Sequence, residues 1–172
     1  MRMIVAALCL IMTYSGMVAQ PRGGGSSPPT ALQIPASLFE KAIACIKEHE
    51  GWHGNHLPYV GYGHKLLPGE TFTPDMSEAQ ADSLLRADLI RRCHTFRYFK
   101  KDALLLAVLS YNVGEYRLLG SKKIPKSTLI RKLEAGDRDI YQEYISYCWF
   151  NGKRHAGLLK RRKAEFALFF IP

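Results

Sequence analysis

The stretch from Asp102 to Val113 constrains the fold more than any other part of the chain, because it is apolar around almost its whole circumference. Three consecutive leucines are followed within it by Val108 and Leu109. A helix without a polar face is not stable at a protein surface and needs other elements around it. The sequence therefore predicts a central buried helix enclosed by further helices.

The first predicted helix ends in a glutamate. Ser37 and Glu40 fit a capping box at its start, and Gly51 is a typical C-terminal stop. The apolar stripe of this helix leads at helical spacing to Glu50, and it consists of Phe39, Ile43 and Ile46. Burial beside this stripe and the negative end of the helix dipole both favour the protonated form of a carboxyl group.

Four more helices and one hairpin complete the prediction. Ser77 and Gln80 fit a second capping box, which opens a helix that runs to about Cys93. Shorter helices are predicted at 127–135, 137–148 and 157–170. Between Leu57 and Thr73, strand-forming residues interrupted by glycines predict two or three short antiparallel strands. The fold class is therefore α+β, mainly α, with one small sheet.

The first 35 residues predict export. Arg2 and the apolar run from Met3 to Thr13 precede small residues, with a cleavage point after Ala19, which is the layout of a secretory signal peptide. An uncleaved signal anchor is the alternative. The glycine-, serine- and proline-rich segment 20–35 predicts a flexible linker before a domain at 36–172. We therefore expect the protein in the periplasm or outside the cell.

The chain is basic, with a formal net charge of +9. A basic surface is attracted to polyanions such as nucleic acid, anionic lipid or bacterial cell wall. Export argues against nucleic acid as the partner and in favour of the cell wall.

Four cysteines leave the redox state open. Cys9 would leave with the signal peptide, so that Cys45, Cys93 and Cys148 remain. One disulfide with one free thiol, or three buried thiols, would both fit helical positions of this kind.

The segment His49-Glu50-Gly51-Trp52-His53 matches H-E-x-x-H, the zinc-protease pattern. That pattern binds zinc when both histidines lie one turn apart on a continuous helix. A helix that ends at Gly51 does not hold His53 in this register, and a third ligand, such as His56 or His64, would also be needed. We therefore interpret His49, His53 and His56 as exposed or loop histidines, and we expect no metal or cofactor.

Several motifs, in the right order, resemble the phage-type lysozymes of glycoside hydrolase family 24. They are Glu50-Gly51, Gly61-Tyr62-Gly63-His64, Pro68-Gly69-Glu70, the helix from Ser77 to Leu89, Ser110-Tyr111-Asn112-Val113-Gly114, and Gly157 to Arg162 with Glu165. The resemblance implies a two-lobed fold in which a hairpin lobe and a helical lobe are joined by a long helix. It also implies a cleft for peptidoglycan and hydrolysis of the β-1,4 bond between N-acetylmuramic acid and N-acetylglucosamine, by a monomer.

The resemblance also assigns roles to residues. Glu50 would be the general acid, oriented by Arg161 or Arg162 if the last helix crosses the first. Tyr62, Asn112 and Arg161 would lie at the substrate cleft. His64 would pair with Asp88 and so tie the hairpin to the long helix.

The chain departs from the family pattern after Glu50. Many members carry an aspartate and a threonine there that position the attacking water, but Trp52 to Val60 contains neither residue and no glutamate. His56 and Tyr59 are the predicted substitutes, and Glu70 and Asp75 are further candidates. Three hypotheses follow: a secreted muramidase, a non-catalytic relative that binds peptidoglycan, and a zinc hydrolase that uses His49, Glu50 and His53.

Overall fold

The computed structural model describes residues 33–53, 57–73 and 75–172. The predicted signal peptide, most of the predicted linker and His56 lie outside the described residues. Residues 32–172 form one compact unit. No helix in the described ranges is both long enough and apolar enough to cross a bilayer.

The described residues fold mainly into helices, with two small hairpins. The helices are α1 (Ala36–Glu50), α2 (Glu78–Thr95), a 3-10 helix (Arg97–Asp102), α3 (Ala103–Val113), α4 (Glu115–Leu119), α5 (Thr128–Glu134), α6 (Tyr141–Ile145) and α7 (Ala156–Phe169). The strands are β1 (Tyr59–Val60), β2 (His64–Lys65), β3 (Trp149–Phe150) and β4 (Lys153–Arg154). β1 pairs antiparallel with β2, and β3 pairs antiparallel with β4. The predicted α+β, mainly α fold class is confirmed.

Helix α3 is the centre of the helical lobe, as predicted. Every residue from Ala103 to Ser110 is buried, and α1, α2 and α7 pack around the helix. Burial on all sides explains why its sequence has no polar stripe.

Helix α2 joins the helical lobe to the hairpin lobe. It begins with the predicted capping box: Ser77 Oγ accepts a hydrogen bond from the Gln80 backbone N–H, and Gln80 Oε1 accepts one from the Ser77 N–H. The hairpin β1–β2 packs on the start of α2 through a separate small core of Val60, Met76 and Ala81. Two separate cores correspond to the two lobes.

The predicted capping box at the start of α1 is wrong. Pro35 occupies the N-cap position, without a side-chain hydrogen bond, and its carbonyl accepts from the backbone N–H groups of Leu38 and Phe39. Ser37 lies inside the first turn, so its side chain is not at the position that caps a helix. The end of α1 agrees with the prediction, because Gly51 adopts a φ of 68° directly after Glu50.

The region 137–150 also differs from the prediction. Helix α6 ends at Ile145, well before Cys148, and the hairpin β3–β4 follows. Asn151 and Gly152 connect its strands with φ values of 49° and 73°. Positive φ at both positions is typical of a tight hairpin turn, and Asn-Gly is the sequence that favours it. The sequence therefore held a signal for this second hairpin that helical periodicity alone did not reveal. The short helix α4 was not predicted.

The cysteines in the described residues are free thiols. Cys45, Cys93 and Cys148 are all buried, which is the second of the two alternatives. Burial raises the pKa of the Cys93 thiol to about 12, so this group is an unreactive part of the core.

We expect Ser77→Ala to lower the free energy of unfolding by about 1 kcal/mol, because it removes the cap of the helix that joins the lobes. Ser37→Ala is the matched control, since Ser37 accepts no capping hydrogen bond, and it should leave stability nearly unchanged. Urea unfolding followed by circular dichroism measures both. Equal losses in the two variants would contradict the assignment of the caps.

Candidate functional site

Glu50 is the last residue of α1, and its carboxylate lies at the junction of the two lobes. Its side chain is 16% exposed, and Oε1 lies 2.8 Å from Nη1 of Arg161 on α7. This contact is a close ion pair and not a well-directed hydrogen bond. Of the two candidate arginines, Arg161 is therefore the one that holds Glu50.

Arg161 is itself held by a buried glutamate. Glu165, which is fully buried, accepts hydrogen bonds at Oε1 from Arg161 Nε (2.8 Å) and from Arg162 Nη2 (3.1 Å). Its other oxygen, Oε2, accepts a hydrogen bond from the Tyr144 hydroxyl at 3.0 Å. Buried ionised groups need partners, and α6 and α7 provide them for both oxygens of Glu165. The orientation of Glu50 thus depends on a network whose centre is Glu165.

The same network reaches the end of α3. Arg162 Nη2 donates to Asn112 Oδ1 over 3.3 Å, and Asn112 itself is exposed. The predicted substrate-contacting residue is therefore an exposed amide that is anchored to the arginine next to the one that holds Glu50. Arg161, by contrast, is 4% exposed, a position that suits the orientation of Glu50 better than direct contact with a ligand.

Glu50 faces the hairpin of the other lobe at Gly63. A Cβ atom on Gly63 would lie 3.7 Å from Glu50 Oε2 and 3.7 Å from His53 Nε2. His53 Nε2 is buried and has no hydrogen-bond partner among the described residues. His53 lies in the segment between α1 and β1, as expected of a loop histidine, but this nitrogen is buried and lies close to the candidate acid.

The tyrosines predicted at the site take different positions. Tyr59 is 42% exposed, and its ring centroid is 6.1 Å from that of His53. The Tyr62 hydroxyl donates to Glu78 at 2.9 Å, and Lys47 Nζ lies 4.7 Å from the centre of the Tyr62 ring. Tyr62 thus ties the hairpin to α1 and α2, whereas Tyr59 lies beside His53.

The hairpin is fastened to α2 by a histidine between two carboxylates. His64 Nδ1 lies 2.6 Å from Asp88 Oδ2, and His64 Nε2 lies 2.9 Å from Glu70 Oε2. The contact with Asp88 is the one expected from the sequence. The carboxylate of Glu70, a candidate base, instead forms hydrogen bonds with His64 and with the backbone N–H of Leu67, which donates to it at 2.7 Å. Asp75, the other further candidate, is exposed.

Burial disfavours the charged form of His64, but its hydrogen bonds with Glu70 and Asp88 outweigh this effect and raise its pKa. The hydrogen bond from His64 in turn lowers the pKa of Glu70. The two carboxylates therefore favour the charged form of His64 more than water would.

The H-E-x-x-H segment does not continue as a helix, because the backbone leaves α1 at Gly51. Within 33–53, 57–73 and 75–172, no three His, Cys, Asp or Glu side chains are grouped as metal ligands would be.

Comparison with known proteins adds a family and a structural likeness. The Phage lysozyme family model matches residues 46–165. Among solved structures, the muramidase domain of SpmX from Asticaccaulis excentricus is 25% identical in sequence and has a TM-score of 0.59. That match covers 77% of this chain and 96% of the SpmX domain. No curated protein sequence matches the chain significantly.

We expect Glu165→Gln to lower the free energy of unfolding by about 3–5 kcal/mol, because it leaves the buried Arg161 and Arg162 without their shared counter-charge. Glu134→Gln is the control. Glu134 pairs with Lys126 at 2.7 Å, but both side chains are more than 40% exposed, so the loss should stay below about 1 kcal/mol. Chemical denaturation of both variants tests this, and similar losses would contradict a buried charged network.

The His64 triad should make stability depend on pH. A raised pKa in the folded protein means that the contribution of His64 is complete below the unfolded pKa of about 6.5, and that it is lost as the pH rises through the folded value. The difference in unfolding free energy between wild type and His64→Gln should therefore shrink from pH 6 to pH 9. Denaturant titrations at several pH values measure it. A constant difference would argue against the charged triad, and the exposed His94→Gln should show no such trend.

Proposed function

Since the chain belongs to the phage lysozyme family, we propose that it is a peptidoglycan hydrolase of the muramidase type. The proposed reaction is hydrolysis of the β-1,4 bond between N-acetylmuramic acid and N-acetylglucosamine, with Glu50 as the general acid. The proposed site is the junction between hairpin and helical lobe, and the proposed location is the periplasm or the cell exterior.

The position of Glu50 is the observation that carries this proposal. Its carboxylate is nearly buried at the end of α1, with one oxygen against Arg161 and the other toward Gly63 of the opposite lobe. A general acid must be held within hydrogen-bond reach of the leaving oxygen, which requires a fixed side chain. The ion pair with Arg161 supplies that orientation, and the partial burial reduces solvation of the carboxylate.

The proposed chemistry follows from this geometry. Glu50 donates a proton to the glycosidic oxygen as the bond to the anomeric carbon breaks, while water attacks that carbon. Asn112, exposed and anchored by Arg162, is a candidate for hydrogen bonds to the sugar. Tyr59 is a candidate for stacking on it, since it is exposed.

Charge and export signals support the proposed substrate and location. The net charge of +9 favours association with an anionic cell wall. Arg2, the apolar run after it and the small residues before Gln20 are typical of export. The likeness to a muramidase domain supports the same substrate class.

A second candidate is a peptidoglycan-binding protein without hydrolytic activity. It is favoured by the composition of Trp52 to Val60, which contains no aspartate, glutamate or threonine. A chain of this kind would keep the fold and the glycan contacts but would not activate a water molecule.

Glu50→Gln should lower the release of fragments from purified peptidoglycan by at least about a hundredfold, because a carboxamide is too weak an acid to protonate the leaving oxygen. Mass spectrometry of the soluble products should show new reducing N-acetylmuramic acid ends with the wild type, in the presence or absence of a chelator. Glu48→Gln is the matched control, since Glu48 is exposed on another side of the same helix turn, and it should stay active.

Retained activity in folded Glu50→Gln would overturn the assignment of the acid. Wild-type protein that binds peptidoglycan but releases nothing would support the binding protein. Activity that a chelator removes would support the zinc hydrolase.

A further inference from the structure

His53 and Glu50 converge on one space at the junction of the lobes. Glu50 reaches it from the end of α1 and His53 from the segment that follows, and both side chains end 3.7 Å from the missing Cβ of Gly63. Their reactive atoms therefore lie within twice that distance of each other. Gly63, with a φ of 89°, borders this space, and it has no side chain that would fill it.

The imidazole of His53 has a defined position but makes no hydrogen bond through Nε2 within the described residues. Its Nε2 is buried without a partner among the described residues, and a buried polar nitrogen in this state is costly unless something binds to it. Its backbone is fixed to the hairpin, because the His53 N–H donates to the Gly61 carbonyl at 2.8 Å. The Tyr59 ring lies on one side, 6.1 Å between centroids. The ring is thus held beside Glu50 with one nitrogen left for a ligand.

The separation of Glu50 and His53 can be compared with that of known acid and base pairs. In glycosidases that invert the anomeric configuration, the acid and the base are about 6.5–9.5 Å apart, which leaves room for water at the sugar. Glu50 Oε2 and His53 Nε2 both lie 3.7 Å from the same point, so they are at most twice that distance apart. This upper limit lies within that range. A neutral imidazole with its proton on Nδ1 presents a lone pair at Nε2, which is what a base needs.

We propose that His53 is the general base of this site, in place of the aspartate that Trp52 to Val60 lacks. The inference rests on the proposed muramidase activity. In the reaction, His53 Nε2 takes a proton from the attacking water as its oxygen bonds to the anomeric carbon. The bond from that carbon to the glycosidic oxygen breaks, and Glu50 gives its proton to that oxygen. Solvent then removes the proton from His53 and returns one to Glu50.

This assignment differs from the candidates read from the sequence. The side chain of Tyr59 is exposed, and the carboxylate of Glu70 is hydrogen-bonded to His64. His53 is the candidate whose unpartnered atom lies beside Glu50 in the described structure.

Removal of the base can be distinguished from loss of structure by chemical rescue. His53→Ala should lower fragment release by about a hundredfold or more while circular dichroism stays unchanged. Azide has no proton to lose, so it can attack the anomeric carbon without a base. Added azide should therefore restore cleavage by His53→Ala and yield products that carry an azide in place of the new hydroxyl, which mass spectrometry identifies.

Three further variants complete the experiment. Azide should not restore Glu50→Gln, because the leaving oxygen still lacks its acid. Tyr59→Phe keeps the ring beside His53 and removes only the hydroxyl, so it tests that hydroxyl as the alternative base. His94→Gln, on the exposed end of α2, should behave as wild type.

Full activity of His53→Ala, or a folded and inactive His53→Ala that azide does not rescue, would overturn the inference. A large loss in Tyr59→Phe with no loss in His53→Ala would assign the water to the tyrosine hydroxyl instead. If Glu50→Gln is inactive and His53→Ala is active, only this inference fails. If Glu50→Gln is active, or if the wild type releases nothing, the proposed function fails and the role of His53 fails with it.

Discussion

The buried carboxylate of Glu165 is the interaction on which the rest of the site depends. It neutralises Arg161 and Arg162 and accepts from Tyr144, so that α6 and α7 share one charged centre. Through Arg161 this centre fixes Glu50, which belongs to the opposite end of the described chain. Buried charges are tolerated only with several partners, and such partners also restrict side chains to one geometry. A group that must deliver a proton to one atom requires this restriction.

The second constraint is the attachment of the hairpin. His64, between Glu70 and Asp88, joins it to α2 at one end, and the small core around Val60 joins it along its length. These contacts hold the hairpin in the position in which Gly63 lies close to the Glu50 carboxylate. They also position His53, because its backbone N–H is hydrogen-bonded to the hairpin. The junction between the lobes is therefore built from both sides.

The short segment after Glu50 connects these two constraints. Only residues 51–58 lie between α1 and β1, and none of them is an aspartate or a glutamate. Gly51 turns the backbone directly toward the hairpin, and a side chain two residues later then lies next to the candidate acid. This segment therefore places a histidine, and no carboxylate, close to Glu50 in the described structure.

Local patterns in the sequence determined much of this protein. The burial of α3, the cap of α2 at Ser77 and the end of α1 at Gly51 follow from residues within one or two turns, and they were predicted for that reason. Glu50 as the end of an apolar stripe follows from the same periodicity. The cap assigned to Ser37 and the long helix assigned to 137–148 were wrong, because Pro35 and the Asn151-Gly152 turn compete locally with those signals.

Contacts between distant segments were decided only by the tertiary structure. Arg161 and Arg162 are neighbours in sequence and point to different partners, so the packing of α7 on α1 selects the one that meets Glu50. His53 looks like a loop histidine in the sequence, and only the tertiary structure shows that its Nε2 is buried close to Gly63 of the hairpin. Periodicity describes which face of an element is apolar, whereas the identity of the residue that this face meets depends on how the elements pack.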